Sequence, residues 1–152
     1  MEGISLADIL KATITLFTVI DIIGVLPLLI DITKNTGDIH PEKASISSLF
    51  IMLLALILGE KLLYFLGVSK QSFAVAGGII LFILAMEMVL GRNIIKQAKQ
   101  ETKATAVVPV AFPLISGAGT ITTILTLKSQ FNQLEIAVGI IINVIVVYLV
   151  LR

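Results

Sequence analysis

Cysteine is absent from the chain, which excludes disulfides and thiolate metal sites. Charged residues make up only 14% of it, against about a quarter in soluble domains. The formal net charge is +1, and no basic patch interleaved with aromatic residues occurs, so nucleic acid is not a partner. Histidine occurs once, at His40 in a polar stretch, which reads as a solvated surface position. The patterns HExxH and GxSxG and the phosphate-binding loop are missing. No acidic cluster that could hold a catalytic metal appears. These absences argue against an enzyme and against any bound cofactor. A short apolar core followed by a small-residue cleavage site is also missing, so the first apolar span serves as the insertion signal.

What the chain does have is apolar length. Of its 152 residues 57% are hydrophobic, and the mean hydropathy is +1.08. A helix needs about 20 apolar residues to cross the roughly 30 Å hydrocarbon core of a bilayer. Five stretches qualify, at residues 12–32, 46–67, 73–90, 105–127 and 134–151. The linkers are short, which implies one transmembrane domain of α class. The longest linker is the polar, basic stretch 91–103, GRNIIKQAKQETK. Lys11, Lys70 and Lys128 fall on one side of the spans. Lys34, Lys43, Arg92, Lys96, Lys99, Lys103 and Arg152 fall on the other, and Lys61 stays within the second span. The excess of cations marks the cytoplasmic side. The expected location is therefore the cytoplasmic membrane, crossed several times, with the N-terminus outside.

Two spans are broken by glycine and proline. The first carries Asp21-Ile22-Ile23-Gly24-Val25-Leu26-Pro27, and the fourth carries Phe112-Pro113-Leu114-Ile115-Ser116-Gly117-Ala118-Gly119-Thr120. A lipid-exposed helix cannot leave N–H and C=O groups unpaired, so broken backbone at membrane depth implies a cavity lined by protein. Asp21 and Ser116 both sit near the middle of their spans, approached from opposite faces. That is the geometry of an inverted repeat of three plus three helices, in which paired breaks mark a transport site. Residues 1–90 would form the first repeat and residues 104–152 an incomplete second one. The symmetry predicts a sixth span that is not among the 152 residues; a five-span protein is the alternative.

Asp21 is the most informative side chain. A carboxylate in mid-bilayer is costly and faces a cavity, where it is usually functional. It would end the first half-helix and serve as a proton-coupling group, a sodium ligand or a partner for a substrate ammonium; otherwise it caps N–H groups of the broken backbone. Gly24 and Pro27 fit the break itself, with Pro27 suited to the start of a new half-helix. In the fourth span Gly117 and Gly119 let the backbone leave the helix. Thr120 is placed as N-cap of a half-helix over 121–127, whose first N–H groups, at Ile121, Thr122 and Thr123, would form a site for a carboxylate. Ser116 and Thr120 add hydroxyls. Thr122, Thr123 and Thr126 read as packing residues. Asn143 either lines the cavity or bonds to an adjacent helix. Glu60 and Lys61 snorkel or pair, and Ala76-Gly77-Gly78 marks a close helix contact.

At these motifs the chain resembles the MarC family of integral membrane proteins, also described as small neutral amino acid transporters. The family pairs a DPxGxxP-like motif in its first helix with a FPLxxGPG-T-like motif in its fourth. The stretches Phe65-Leu66-Gly67-Val68-Ser69 and Ala76-Gly77-Gly78-Ile79-Ile80-Leu81-Phe82 are also similar to it. Ile22 and Ala118 replace prolines of the pattern. The resemblance implies six helices and the transport of glycine, alanine, serine or similar small amino acids, driven by an ion gradient, with a proton or sodium as the coupling ion. A homo-oligomer is compatible with the sequence. A channel or exporter for another small solute and a non-transporting membrane structural protein are the competing readings. A continuous polar stripe would favour the channel, and spans two and three supply none.

Overall fold

The computed structural model describes residues 4–27, 29–30, 40–90 and 110–152. The basic stretch 91–103 lies outside the described residues, so its side of the membrane is a matter of charge alone. Every regular element among the described residues is helical. The elements are α1 (Leu6–Ile20), α2 (Pro41–Phe65), α3 (Lys70–Leu90), a π-helical turn (Val110–Ile115), α4 (Ala118–Leu127) and α5 (Gln133–Leu151). Among them α2 and α5 are both long enough and apolar enough to cross a membrane.

α1, α2 and α3 begin earlier than the apolar stretches alone imply, because their first turns lie in the polar flanks. Pro41 opens α2, where its missing N–H costs nothing. The Ser69 hydroxyl accepts the Ser72 N–H at 3.0 Å and caps α3. α1 starts at Leu6, not near residue 12. Its first turn carries Asp8, favourable at the positive end of the helix dipole and paired with Lys11 at 2.9 Å. The turn between α2 and α3 follows from one glycine. Gly67 takes φ +66°, and the Val68 N–H donates to the Leu63 carbonyl at 2.9 Å while the Gly67 N–H donates to Tyr64 at 3.1 Å. This bond pair is a Schellman motif.

α5 is the centre of the bundle. It packs along α1 and α2, while α4 packs among α1, α2 and α3. Leu16, Met52, Ile115, Ile124, Ile136 and Ile140 close the core at 1% exposure or less. Small residues set the close approaches. Gly139 lies against the Thr13 backbone, and Gly77 of α3 lies directly against Ala118 of α4. The outer surface is apolar, with Ile14, Phe17, Phe50, Ile57, Phe82, Ile145 and Leu149 all exposed. Large exposed apolar faces on several helices suit contact with lipid.

Polar ties gather at one end of the bundle. There Glu60 at the end of α2 holds Lys70 at the start of α3 at 2.7 Å and Lys128 just after α4 at 3.6 Å. At the start of α5 the buried Glu135 accepts the N–H of Asn132 at 2.9 Å and that of Ser5 at 2.8 Å. One carboxylate thus caps α5 and fixes the beginning of α1 beside it.

Candidate functional site at two helix breaks

α1 has 15 residues, about 22 Å of helix, and so stops short of the roughly 30 Å apolar core. It ends because Asp21 turns left-handed, at φ 42° and ψ 49°. Aspartate tolerates that conformation better than most residues. The Asp21 N–H still donates to the Phe17 carbonyl at 3.0 Å, and the carboxylate accepts the Gly24 N–H at 3.3 Å. Residues 22–25 form a turn, and Leu26, Pro27, Leu29 and Ile30 are helical again. The Val25 N–H donates to the Asp21 carbonyl and the Leu29 N–H to that of Val25, both at 3.1 Å. Asp21 therefore both ends one helix and caps the next. Its side chain stays exposed, as do Gly24 and Pro27.

The second break follows the π-helical turn. The Ser116 N–H reaches back five residues to the Ala111 carbonyl at 2.9 Å. Its hydroxyl, fully buried, donates to the Ser48 carbonyl of α2 at 3.2 Å. Gly117 is extended, at φ −73° and ψ −178°, and is itself the N-cap of α4. This corrects the expectation for Thr120. The helix starts a turn earlier than 121, so Thr120 lies inside its first turn, buried, with its hydroxyl donating to the Ile115 carbonyl at 2.9 Å. The Ile121 N–H is already spent on Gly117 at 2.9 Å. The N–H groups left without an intrahelical acceptor are those of Ala118, Gly119 and Thr120.

The two breaks meet. A Cβ added at Gly119 would stand 3.6 Å from Val19 Cγ1, and Val19 precedes Asp21 by two residues. The positive end of α4 thus lies beside the negative end of α1. The arrangement brings the α4 first turn beside the last turn of α1, two residues before Asp21. Opposite dipole ends side by side suit a small group that carries both charges.

The family profile described as MarC family integral membrane protein matches residues 6–152. The chain belongs to the MarC family. It is 34% identical over 148 residues to a UPF0056 membrane protein of Archaeoglobus fulgidus, covering 91% of this chain and 70% of that one. It is 33% identical over 136 residues to a UPF0056 membrane protein of Aquifex aeolicus, with 82% and 64% covered. It is 32% identical over 140 residues to the UPF0056 membrane protein YhcE of Escherichia coli, with 85% and 65% covered. The chain spans about two thirds of the length of these MarC relatives. No solved structure matches.

Of the residues singled out in this MarC chain, Asp21, Gly24 and Pro27 lie at one break, and Ser116, Gly117, Gly119 and Thr120 at the other. Asn143 stands apart. It is buried in α5, and its amide donates to the Thr13 carbonyl at 3.0 Å and the Gly139 carbonyl at 2.9 Å. It ties α5 to α1 where Gly139 lies against Thr13. Two residues escaped the sequence reading. The spacing Asn132-x-x-Glu135 is a capping-box signal that points to Glu135. Nothing in the sequence points to Ser48, because its carbonyl meets Ser116 only through the register of α2 against the second break.

Proposed function

We propose that this MarC protein is a secondary transporter of small neutral amino acids such as glycine, alanine or serine. The observation that carries the reading is the meeting of the two helix breaks, with Val19, two residues before Asp21, against Gly119. A substrate carboxylate would accept from the N–H groups of Ala118, Gly119 and Thr120. Its ammonium would face the Asp21 carboxylate and the last carbonyls of α1. Glycine and alanine at the break leave little room for a side chain, which favours small substrates. Asp21, exposed at the break, is the group through which a proton or sodium would couple. Breaks in the first and fourth spans also support an inverted three-plus-three repeat, with alternating access around the site they share. The charge asymmetry supports insertion in the cytoplasmic membrane with the N-terminus outside.

Uptake of labelled glycine and alanine into liposomes holding the purified chain, with imposed proton or sodium gradients, tests the reading. Accumulation that collapses with one gradient supports it and names the ion. Equal flux with and without gradients would instead favour a passive channel.

A further inference from the structure

A cavity of about 680 Å³ opens between α1, α3 and α4 at the bundle end that carries Glu60, Lys70 and Lys128. Its wall includes Lys11, Thr15, Lys70, Gln71, Thr122 and Thr123. Two ammonium groups line it and, among the described residues, no carboxylate does. Both lysines are held from outside the wall. Asp8 pairs with Lys11 at 2.9 Å, and Glu60 pairs with Lys70 at 2.7 Å. These partners hold the ammonium groups in place and weaken their field, while Lys11, Lys70 and Lys128 still outnumber Asp8 and Glu60 at this end.

The threonines of the wall have the opposite character. The hydroxyls of Thr122 and Thr123 donate inward, to the Ala118 and Gly119 carbonyls, each at 2.8 Å. Thr15 likewise donates to Lys11 at 2.8 Å. With their protons spent on their own helices, these hydroxyls offer the cavity lone pairs. Ala118 and Gly119 belong to the second break, so this part of the wall lies one helical turn from it.

We infer that this cavity is a hydrated vestibule that selects by charge. It admits small solutes bearing a carboxylate, whether anions or zwitterions, past Lys11 and Lys70, and it repels free cations. A zwitterion enters with its carboxylate at the lysines and its ammonium toward the threonine oxygens. The charge selection stands on the cavity alone; the zwitterion as its solute rests on the transport reading above.

The absence of native cysteine makes the test direct. Thr123→Cys, and Thr122→Cys as a second position, each place one thiol on the wall. His40→Cys, exposed at the start of α2, the end of that helix opposite Glu60, is the reference. In uncharged detergent micelles, each variant is modified by a thiosulfonate reagent ending in a sulfonate and by one ending in trimethylammonium. The expected anion-to-cation rate ratio on the wall exceeds the reference ratio by on the order of tenfold at low salt. It falls toward the reference in Lys70→Gln and at high ionic strength. A wall ratio at or below the reference, a ratio unmoved by Lys70→Gln, or no reaction at either threonine position overturns the proposal. Charge selection that persists in a protein without amino acid uptake sinks the transport reading and leaves the vestibule standing.

Discussion

Asp21 combines three properties that pull in different directions. It is left-handed, it caps Gly24, and its carboxylate is exposed. Asparagine matches it in shape, tolerates the same backbone conformation and can still accept the Gly24 N–H, but it carries no charge. Asp21→Asn should therefore keep its melting temperature in detergent and lose gradient-driven uptake per folded molecule. Normal uptake by this variant would remove Asp21 from the mechanism. Thr120 calls for a separate test. Its hydroxyl closes the gap between the π-helical turn and α4 by donating to Ile115. Thr120→Val leaves that buried carbonyl without its donor at a cost of about 1 kcal/mol, read as a lower melting temperature, and Thr120→Ser should restore most of it. Asp21 was legible in the sequence because a charge in an apolar run is costly wherever the chain goes. The partner of Thr120 was not, because shifting the helix start by three residues changes which group caps and which is capped.

Three glycines, one in the turn between α2 and α3 and two within α3, show how single positions decide the elements. Gly67 takes a positive φ with nothing within 4 Å of an added Cβ. Gly67→Ala is thus strained by backbone conformation alone and should destabilise by about 1 kcal/mol. Gly77 and Gly78 are adjacent on α3 and opposite in effect. A methyl at Gly77 would meet the Ala118 Cβ directly and stand 3.3 Å from its Cα, whereas at Gly78 it meets nothing within 4 Å. Gly77→Ala must push α3 away from α4, with an overpacking cost of about 1–3 kcal/mol. Gly78→Ala should be neutral or stabilising by up to about 1 kcal/mol, since alanine is the better helix former. Melting temperatures of the two variants in one detergent check the pair; equal losses would mean that the α3–α4 contact is not at Gly77. The Ala76-Gly77-Gly78 triplet announced a close contact, but its neighbour and the glycine that makes it depend on helix rotation, which composition does not encode. The ends of the helices were legible for a related reason only in part. Apolar length marks where lipid is, while Pro41 and Ser69 mark where the backbone hydrogen bonds begin.

At the scale of the whole molecule, the grouping of charges carries the orientation. Lys11, Lys70 and Lys128 belong to helix ends separated in sequence, yet Glu60 joins two of them, and Lys11 and Lys70 share one cavity. That they share an end follows from counting spans, and it was legible before any packing was known. The cavity was not, because Thr15, Gln71, Thr122 and Thr123 converge only once α1, α3 and α4 are set side by side. The stretch 91–103 alone holds Arg92, Lys96, Lys99 and Lys103 against a single Glu101. By the count of cations, the positive-inside rule would put 91–103 inside and the lysine-lined vestibule outside. In intact cells, Glu2→Cys should react with an impermeant thiol reagent, and Gln97→Cys should react only after the membrane is opened. The reverse pattern would invert the protein and turn the vestibule toward the cytoplasm. The charge selection argued for it would then act on solutes leaving the cell instead of on those arriving.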